Sequence, residues 1–339
     1  MNLDTAINFL GVDRALYLDD FENFLQSFSK SNKQFTIWYD HNRAPFPKMK
    51  DKILEFLHSI SGRFALESSR HVLHTLRVIK CDAEAQLMRE TCKIGALSMK
   101  EVMKFSHVDV AEAHLLAKME YECRMRGANY LAFPPVVAGG DRANTIHYID
   151  SNNIVKGGDM VLMDSGCEYH GYSSDISRTW PVDGKFTDPQ RELYQVVLAV
   201  QEDLIQLCQT KVPLDNLFEI MCKNLGKAFQ KLGVIPKSAT EHHLKEAGYE
   251  LCPHHVGHYL GMDVHDTELI SRGIKLQAGM VVTIEPGIYI SKSNTKYPEK
   301  YRGQCIRIED DVLITEDGYE VLTADCPKSI HDIEDLCKK

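Results

Sequence analysis

A carboxylate set inside a run of apolar, β-branched residues is the feature that most limits how this chain can fold. Ionised in an apolar interior it is prohibitively costly, so it must be paired or must ligate a metal. Glu285, preceded by Val281-Val-Thr-Ile284, and Glu309, preceded by Cys305-Ile-Arg-Ile308, end or interrupt such runs. Each is expected on a strand buried on at least one face. Asp164 and Asp175 lie in residues 160–180, which read as two short strands joined by a turn around Glu168 to Gly171. A hairpin centred there sets the two aspartates directly opposite each other. Like charges so placed cost roughly 0.2 to 1 kcal/mol unless a cation lies between them.

An imidazole completes the set. His254, His255, His258 and His265 fall within twelve residues. Pro253 and Gly257 argue against a helix through them, and no His-Glu-x-x-His occurs, which removes a helical zinc-peptidase site. Each position also has a plainer reading. Asp164 before Ser165-Gly166 and Glu285 before Pro286-Gly287 suit turns, Glu309-Asp310-Asp311 suits a solvated charge run, and the histidines suit a surface. The joint order Asp164, Asp175, His258, Glu285, Glu309 favours one shared site. Four carboxylates and one imidazole form a hard, oxygen-rich donor set, suited to two divalent metal ions, with Mn2+ the first choice over a thiolate-held zinc. Two such ions in one pocket activate water against a carbonyl, so the set points to a hydrolase. His265 lies seven residues past His258 and His147 precedes the acidic strands. Both are expected to face the pocket as donors to a carbonyl or a developing oxyanion. Arg307 shares a strand face with Glu309, where it can orient that carboxylate or meet a substrate group.

These residues carry a family likeness. From about Arg77 to Cys326, and especially in Pro134 to Gly140, His147-Tyr148, Cys252 to Asp266 and Val282 to Ile290, the chain resembles the pita-bread dinuclear metallopeptidases. That family includes methionine aminopeptidase, prolidase, aminopeptidase P and creatinase, and the likeness is to the mitochondrial-type aminopeptidase P branch. The resemblance implies an α+β fold: a pita-bread (creatinase/aminopeptidase-like) catalytic domain preceded by a shortened N-terminal α/β domain. It implies a metalloaminopeptidase that hydrolyses the N-terminal Xaa-Pro bond of peptides through a hydroxide bridging two metal ions. Asp175 and Glu309 would bridge both ions, Asp164 would hold one, and His258 and Glu285 the other. Glu285 would also carry the proton, with His147 and His265 as further catalytic residues and His254, Tyr289 and Arg307 toward the substrate. Prolidase, acting on Xaa-Pro dipeptides, shares Arg307-x-Glu309 and the His258 and His265 arrangement and stays open. A methionine enzyme is disfavoured by those same features. A non-catalytic binding protein on the same fold is disfavoured by the five retained ligand positions.

Composition bounds the partners. A net charge of -9 argues against nucleic acid, whose phosphates need clustered Lys and Arg. No run approaches the ~18 apolar residues of a membrane span. The ten cysteines are dispersed without a C-x-x-C pair, which reads as reduced thiols in an intracellular compartment. Cys167, three residues past Asp164, receives no role from the resemblance. Met1 to Arg14 has neither an Arg-rich amphipathic nor a secretory character, so a complete chain is expected in the cytoplasm, whereas the resemblance implies a mitochondrion and a homodimer.

Two domains are expected, at 1–75 and 76–339. The first shows a helix around Asp20 to Lys30, a strand at Phe35 to Tyr39, a turn at 43–47 and a helix near Asp51 to Ser59. It is about half the length of its counterpart in the family, so Phe21, Phe24, Leu25, Trp38 and Phe46 are expected in an exposed apolar patch. The second opens with a helix capped by Asp82, followed by one from about Asp109 to Arg126. Strands with His147, Asp164 and Asp175 come next, then a helix started by Asp188-Pro189 and another over about Leu214 to Leu232. Strands with His258, Glu285 and Glu309 close the order, which reads as a weak internal duplication.

Overall fold

Leu25, Ile53, Phe56 and Leu57 form the buried centre of residues 1–73, the first of two units into which the chain divides. The computed structural model describes residues 2–42, 44 and 46–338. Helix α1 (Leu3–Leu10) is capped by Asn2, whose side chain accepts from the Thr5 amide at 2.8 Å. Then come α2 (Phe21–Ser31), β1 (Gln34–Trp38), α3 (Pro47–Ser59) and β2 (Arg63–Glu67), with β1 and β2 paired in parallel. Helix α3 begins ahead of the expected Asp51 because the fixed φ of Pro47 suits the first helical position. Of the turn expected at 43–47, Arg43 and Pro45 lie outside the described residues. Phe24, Trp38 and Phe46 are exposed, but Leu25 is not: it points into the core, and Phe21 packs against the same cluster.

The division falls between Leu73 and His74, inside α4 (Arg70–Arg77), where the sequence expectation is after residue 75. Helix α5 (Asp82–Phe105) is capped by Cys81 and not Asp82, since Glu84 reaches back to accept from the Cys81 amide at 2.8 Å. Helix α6 (Glu112–Met125) starts three residues later than expected because Asp109 holds a left-handed φ of 62°. Strands β3 (Tyr130–Leu131), β4 (Val136–Gly139), β5 (Met160–Ser165), β6 (Cys167–Tyr169), β7 (Tyr172–Ser173) and β8 (Ile176–Pro181) follow. They form two antiparallel sheets, ordered β4-β5-β8 and β3-β6-β7. Helix α7 (Asp188–Gln206) is capped by Thr187, whose amide donates to Gln190, so Asp188 and Pro189 fill the first turn. Helices α8 (Leu214–Lys231) and α9 (Glu241–Leu251) precede β9 (Val281–Ile284), β10 (Gly287–Ile290), β11 (Gln304–Arg307), β12 (Asp310–Thr315), β13 (Gly318–Val321) and α10 (Ile330–Leu336). Strand β12 lies between β9 and β13, and β10 pairs with β11. Helix α9 and the thirteenth strand carry little periodicity in the sequence and are not expected from it.

The hairpin at 160–180 is centred one residue later than expected. His170 and Gly171, both at positive φ, make the two-residue turn, so Asp164 pairs with Ser177 and not with Asp175. Asp175 is therefore two residues along the partner strand, on the same face as Asp164 and diagonal to it. Between β5 and β6 the ribbon bends at Gly166, where an added Cβ would lie 1.7 Å from the Ser174 carbonyl oxygen. Gly166→Ala is expected to force the two strands apart and cost about 2 to 3 kcal/mol of stability, read as a lowered denaturant midpoint. An unchanged midpoint would show that the close approach is not needed.

Candidate metal centre

Backbone pairing brings four separate stretches to one place. Residues 256–258 run alongside β9, with the Thr283 amide donating to the His258 carbonyl (2.9 Å) and the Glu285 amide to the Val256 carbonyl (2.9 Å). Thr283 Oγ1 also accepts from the His258 amide. His258 is thus on an irregular segment zipped to a strand, and not on a strand of its own as expected. Residues 307–309 run alongside β8, with Thr179 bonded to both backbone groups of Arg307 and the Glu309 amide donating to the Ser177 carbonyl. Glu285 falls in the break between β9 and β10, and Glu309 in the break between β11 and β12. A strand break frees a side chain from pleat alternation, which lets both glutamates aim at the aspartates of the 160–180 hairpin. His147 also lies off any strand, just after a 3-10 turn at Gly140–Asn144.

One cavity of about 580 Å³ receives Asp164, Asp175, His258, Glu285 and Glu309, together with His147, His254, His265 and Arg307. Within it, donor atoms of Asp175, His258 and Glu309 all lie within 4.8 Å of one another. His258 Nε2 is 3.4 Å from Asp175 Oδ2 and 3.8 Å from Glu285 Oε1. The other ring nitrogen, Nδ1, faces the Tyr259 carbonyl at 3.1 Å, which can only accept. The proton therefore sits on Nδ1, and the Nε2 lone pair points to the carboxylates, as a metal-ligating histidine requires.

The electrostatics show a conflict that hydrogen bonds do not resolve. Burial pushes the Asp175 and Glu309 carboxyls well above their usual range, and neighbouring carboxylates add to it. Burial likewise takes Glu285 up to about 8, against the opposing pull of Arg307. Burial lowers His258 to about 3, with His265 adding to the shift, so its ring is neutral. Among the described residues, Asp164 Oδ1 and Asp175 Oδ1 are buried without a hydrogen-bond partner. Four carboxylates carry the charge that two divalent cations would balance, and these orphaned oxygens fit hard cations.

Arg307 holds the cluster from behind. Its Nη2 donates to Asp164 Oδ2 (2.7 Å), its Nη1 to the Tyr289 hydroxyl (2.7 Å) and its Nε to Ser177 Oγ (2.9 Å). Ser177 in turn donates to Glu309 Oε2 (2.7 Å), so Arg307 reaches Glu309 through a serine and not directly. Tyr289 lies under the cavity wall and meets His254 Nε2 at 2.9 Å. The His265 ring stands edge-on to His258, with centroids 4.5 Å apart.

Three residues unexpected from sequence belong here. Ser177 has a detectable signal, since it lies two residues from Asp175 on the same face. Asp311, whose Oδ2 accepts from the Asp175 amide at 3.0 Å, and Asp310, paired with Arg178 at 2.8 Å, have none. Glu309-Asp310-Asp311 is wholly buried, so the solvated charge run is ruled out.

The model of metallopeptidase family M24 matches residues 86–316. The chain belongs to that family. M24 enzymes use divalent metal ions, in keeping with the donor set above. The chain is 44% identical over 338 residues to Xaa-Pro aminopeptidase 3 of Rattus norvegicus, covering 99% of this chain and 66% of the relative. It is 40% identical over 336 residues to the mitochondrial intermediate cleaving peptidase 55 of Arabidopsis thaliana, covering 98% of this chain and 65% of the relative. The chain thus spans slightly under two thirds of the length of these relatives. Proline aminopeptidase P II from Yersinia pestis superimposes with a TM-score of 0.91 at 32% identity, over 99% of this chain and 78% of that one. The M24 architecture here is the α+β pita-bread fold of the aminopeptidase P structures. Among the described residues no helix is long and apolar enough to cross a membrane.

Without metal, stability is expected to fall as pH rises from about 6.5 to about 8. Glu285 titrates at about 8 when folded but near 4.5 unfolded, so in this window the folded state binds more protons and each rise in pH favours unfolding. Below 6.5 the buried His254 and His258, lowered to about 4 and about 3, act in the opposite sense. Adding Mn2+ is expected to abolish the fall. Thermal melts of chelated and metal-loaded protein across this range check it, and parallel curves would refute a cation role for the cluster.

Proposed function

We propose that this M24 chain is a metal-dependent aminopeptidase that cleaves the bond between a first residue and a following proline. The observation that carries the reading is the one cavity that takes five donor residues and four further histidines. The 44% identity to a relative named Xaa-Pro aminopeptidase 3 supports the choice of substrate. Asp164, Asp175, His258, Glu285 and Glu309 would hold two divalent ions, with manganese favoured by the oxygen-rich donors. When bound, such ions polarise a carbonyl and lower the pKa of water.

The chain's own groups do the rest. Asp175 and Glu309 would be the shared ligands, being the two most deeply buried of the four carboxylates. Glu285 takes the proton of the attacking water and returns it to the leaving proline nitrogen, a task suited to a carboxyl whose burial raises its basicity. His147 and His265 donate to the carbonyl oxygen as negative charge develops. Arg307 fixes Asp164 directly and Glu309 through Ser177, while His254, backed by the Tyr289 hydroxyl, lines the side of the cavity that would receive the proline. The same likeness supports peptides as the partner class and, from the Arabidopsis relative, a mitochondrial location, while a homodimer is proposed from the family resemblance alone.

The deciding assay compares three peptides with Mn2+ present: a tripeptide beginning Xaa-Pro, an Xaa-Pro dipeptide and a Met-Ala peptide. Release of the first residue mainly from the tripeptide is expected. Preference for the dipeptide would make the chain a prolidase, and equal cleavage of the methionine peptide would reject the proline reading. Asp175→Asn and Glu309→Gln are expected to abolish turnover and sharply lower bound metal, whereas Cys167→Ser changes neither. A metal-replete, active Asp175→Asn protein would sink the two-ion assignment.

His147→Ala and His265→Ala are expected to retain most bound metal while kcat falls on the order of a hundredfold, the scale of a lost oxyanion donor. Metal analysis beside peptide turnover separates the cases. Loss of metal with either change would make that histidine a ligand or a structural residue instead.

A further inference from the structure

Residues 139–153 form a loop whose two ends and interior converge on one buried carboxylate. Glu112, in the first turn of α6 and wholly buried, accepts from the amides of Gly139 (2.9 Å) and Asn153 (3.0 Å), which are the ends of the loop. It also accepts from Arg142 Nε (2.8 Å) and from the Tyr148 hydroxyl (2.9 Å) inside it. Asn153 Nδ2 donates in turn to that hydroxyl at 2.7 Å, and Arg142 Nη2 to the Ile154 carbonyl. A buried carboxylate with four donors is fully satisfied and rigid.

Apart from Tyr148, the loop ends are tied by the two end amides, the arginine and the Glu112 amide, which donates to the Asn153 carbonyl at 2.9 Å. Tyr148 is a further anchor, and it is the neighbour of His147. Ile146, His147 and Ile149 line the cavity, and among the described residues no group hydrogen-bonds the His147 ring. Where that ring stands is therefore set by the backbone on either side of it. An imidazole displaced by about an ångström can lose on the order of a hundredfold in rate.

We infer that Glu112, acting through the Tyr148 hydroxyl, is a positioning residue that holds the His147 loop against the cavity. The inference rests on His147 being a donor in the proposed reaction. Tyr148→Phe removes one hydroxyl and leaves both loop ends tied, so it tests the anchor without dismantling the fold. Glu112→Gln serves as the harsher companion.

Three readouts decide the matter on the full chain loaded with Mn2+. First, amide hydrogen exchange across 139–154 is expected to quicken in Tyr148→Phe while the rest of the chain is unchanged. Second, kcat on the Xaa-Pro tripeptide is expected to fall about tenfold or more, with metal content and KM nearly unaltered. Third, Tyr148→Phe combined with His147→Ala is expected to be no slower than His147→Ala alone, because an anchor has no effect once the group it positions is gone. Unchanged exchange overturns the anchoring, whatever the rates do. Multiplying effects in the double variant overturn the route through His147. If His147→Ala alone keeps full turnover, the role given to His147 in the proposed reaction fails, while exchange still reports on the loop.

Discussion

Repulsion among Asp164, Asp175, Glu285 and Glu309 is the constraint to which the rest of the second unit, His74–Lys339, answers. Burial raises the pKa of three of these carboxyls, and each adds to the difficulty of ionising its neighbours. Two guanidiniums, Arg307 and Arg272, line the cavity with the group, and their two positive charges cannot balance four negative ones. The geometry of Arg307 says more than its charge: a planar fork bonds Asp164, Ser177 and Tyr289 at once and so ties three elements behind the cavity together. A lysine could make one of these bonds but not hold the three in register.

The fold meets this constraint by placing its ligands at interruptions. Glu285 and Glu309 occupy breaks between consecutive strands, His258 an irregular stretch zipped to β9, and Asp175 the gap between β7 and β8. Regular pleats would point alternate side chains to opposite faces and scatter the donors. The breaks let stretches from four parts of the chain turn their side chains inward, while Ser177, Thr179 and Thr283 tie the loosened backbone. Under the site, Arg178 braces the Glu309 carbonyl at 2.7 Å and pairs with Asp310. Four of the five candidate ligands are thus carried on irregular backbone tied to neighbouring strands, and Asp164 on β5 itself.

What the sequence could disclose followed from local chemistry. Acidic residues in apolar surroundings announce themselves because no ordinary fold tolerates them unpaired, and all five candidate ligands do meet in one cavity. Register is less legible. The hairpin turn at His170-Gly171 displaces the facing pair by one step, and only the positive φ of both residues distinguishes it from a turn one residue earlier. Caps were misplaced for a similar reason: Cys81 and Thr187 serve because Glu84 and Gln190 reach back to them, a pairing three residues away that outweighs Asp82 and Asp188. Nor could local pattern show that Glu309-Asp310-Asp311 is buried, since the cations of Arg178 and Lys328 that compensate Asp310 are distant in sequence or lie beyond a turn. In the first unit, Leu25 turned out to face its own core because Ile53, Phe56 and Leu57 supply a partner face that α2 alone does not reveal.

Buried carboxylates in this protein fall into two classes, and the difference separates scaffold from site. Glu112 meets four donors, and Asp310 meets Arg178, Lys328, Gln201 and Thr323. Asp266 is likewise shared between Lys80 and Arg77. Each of these has its negative charge answered by protein groups, so its burial costs little and it serves to tie segments together. Asp164 and Asp175, which line the same cavity, each keep one buried oxygen with no donor, and so does Asp311, whose other oxygen accepts from the Asp175 amide. A fold that satisfies Glu112, Asp266 and Asp310 so fully has donors enough to have done the same here. Leaving such oxygens bare is destabilising in the protein alone, and cations held beside Asp164 and Asp175 would supply the missing charge. Unmet charge together with a place in the cavity, more than burial or acidity alone, is therefore what marks the candidate cation site within a protein rich in buried acids.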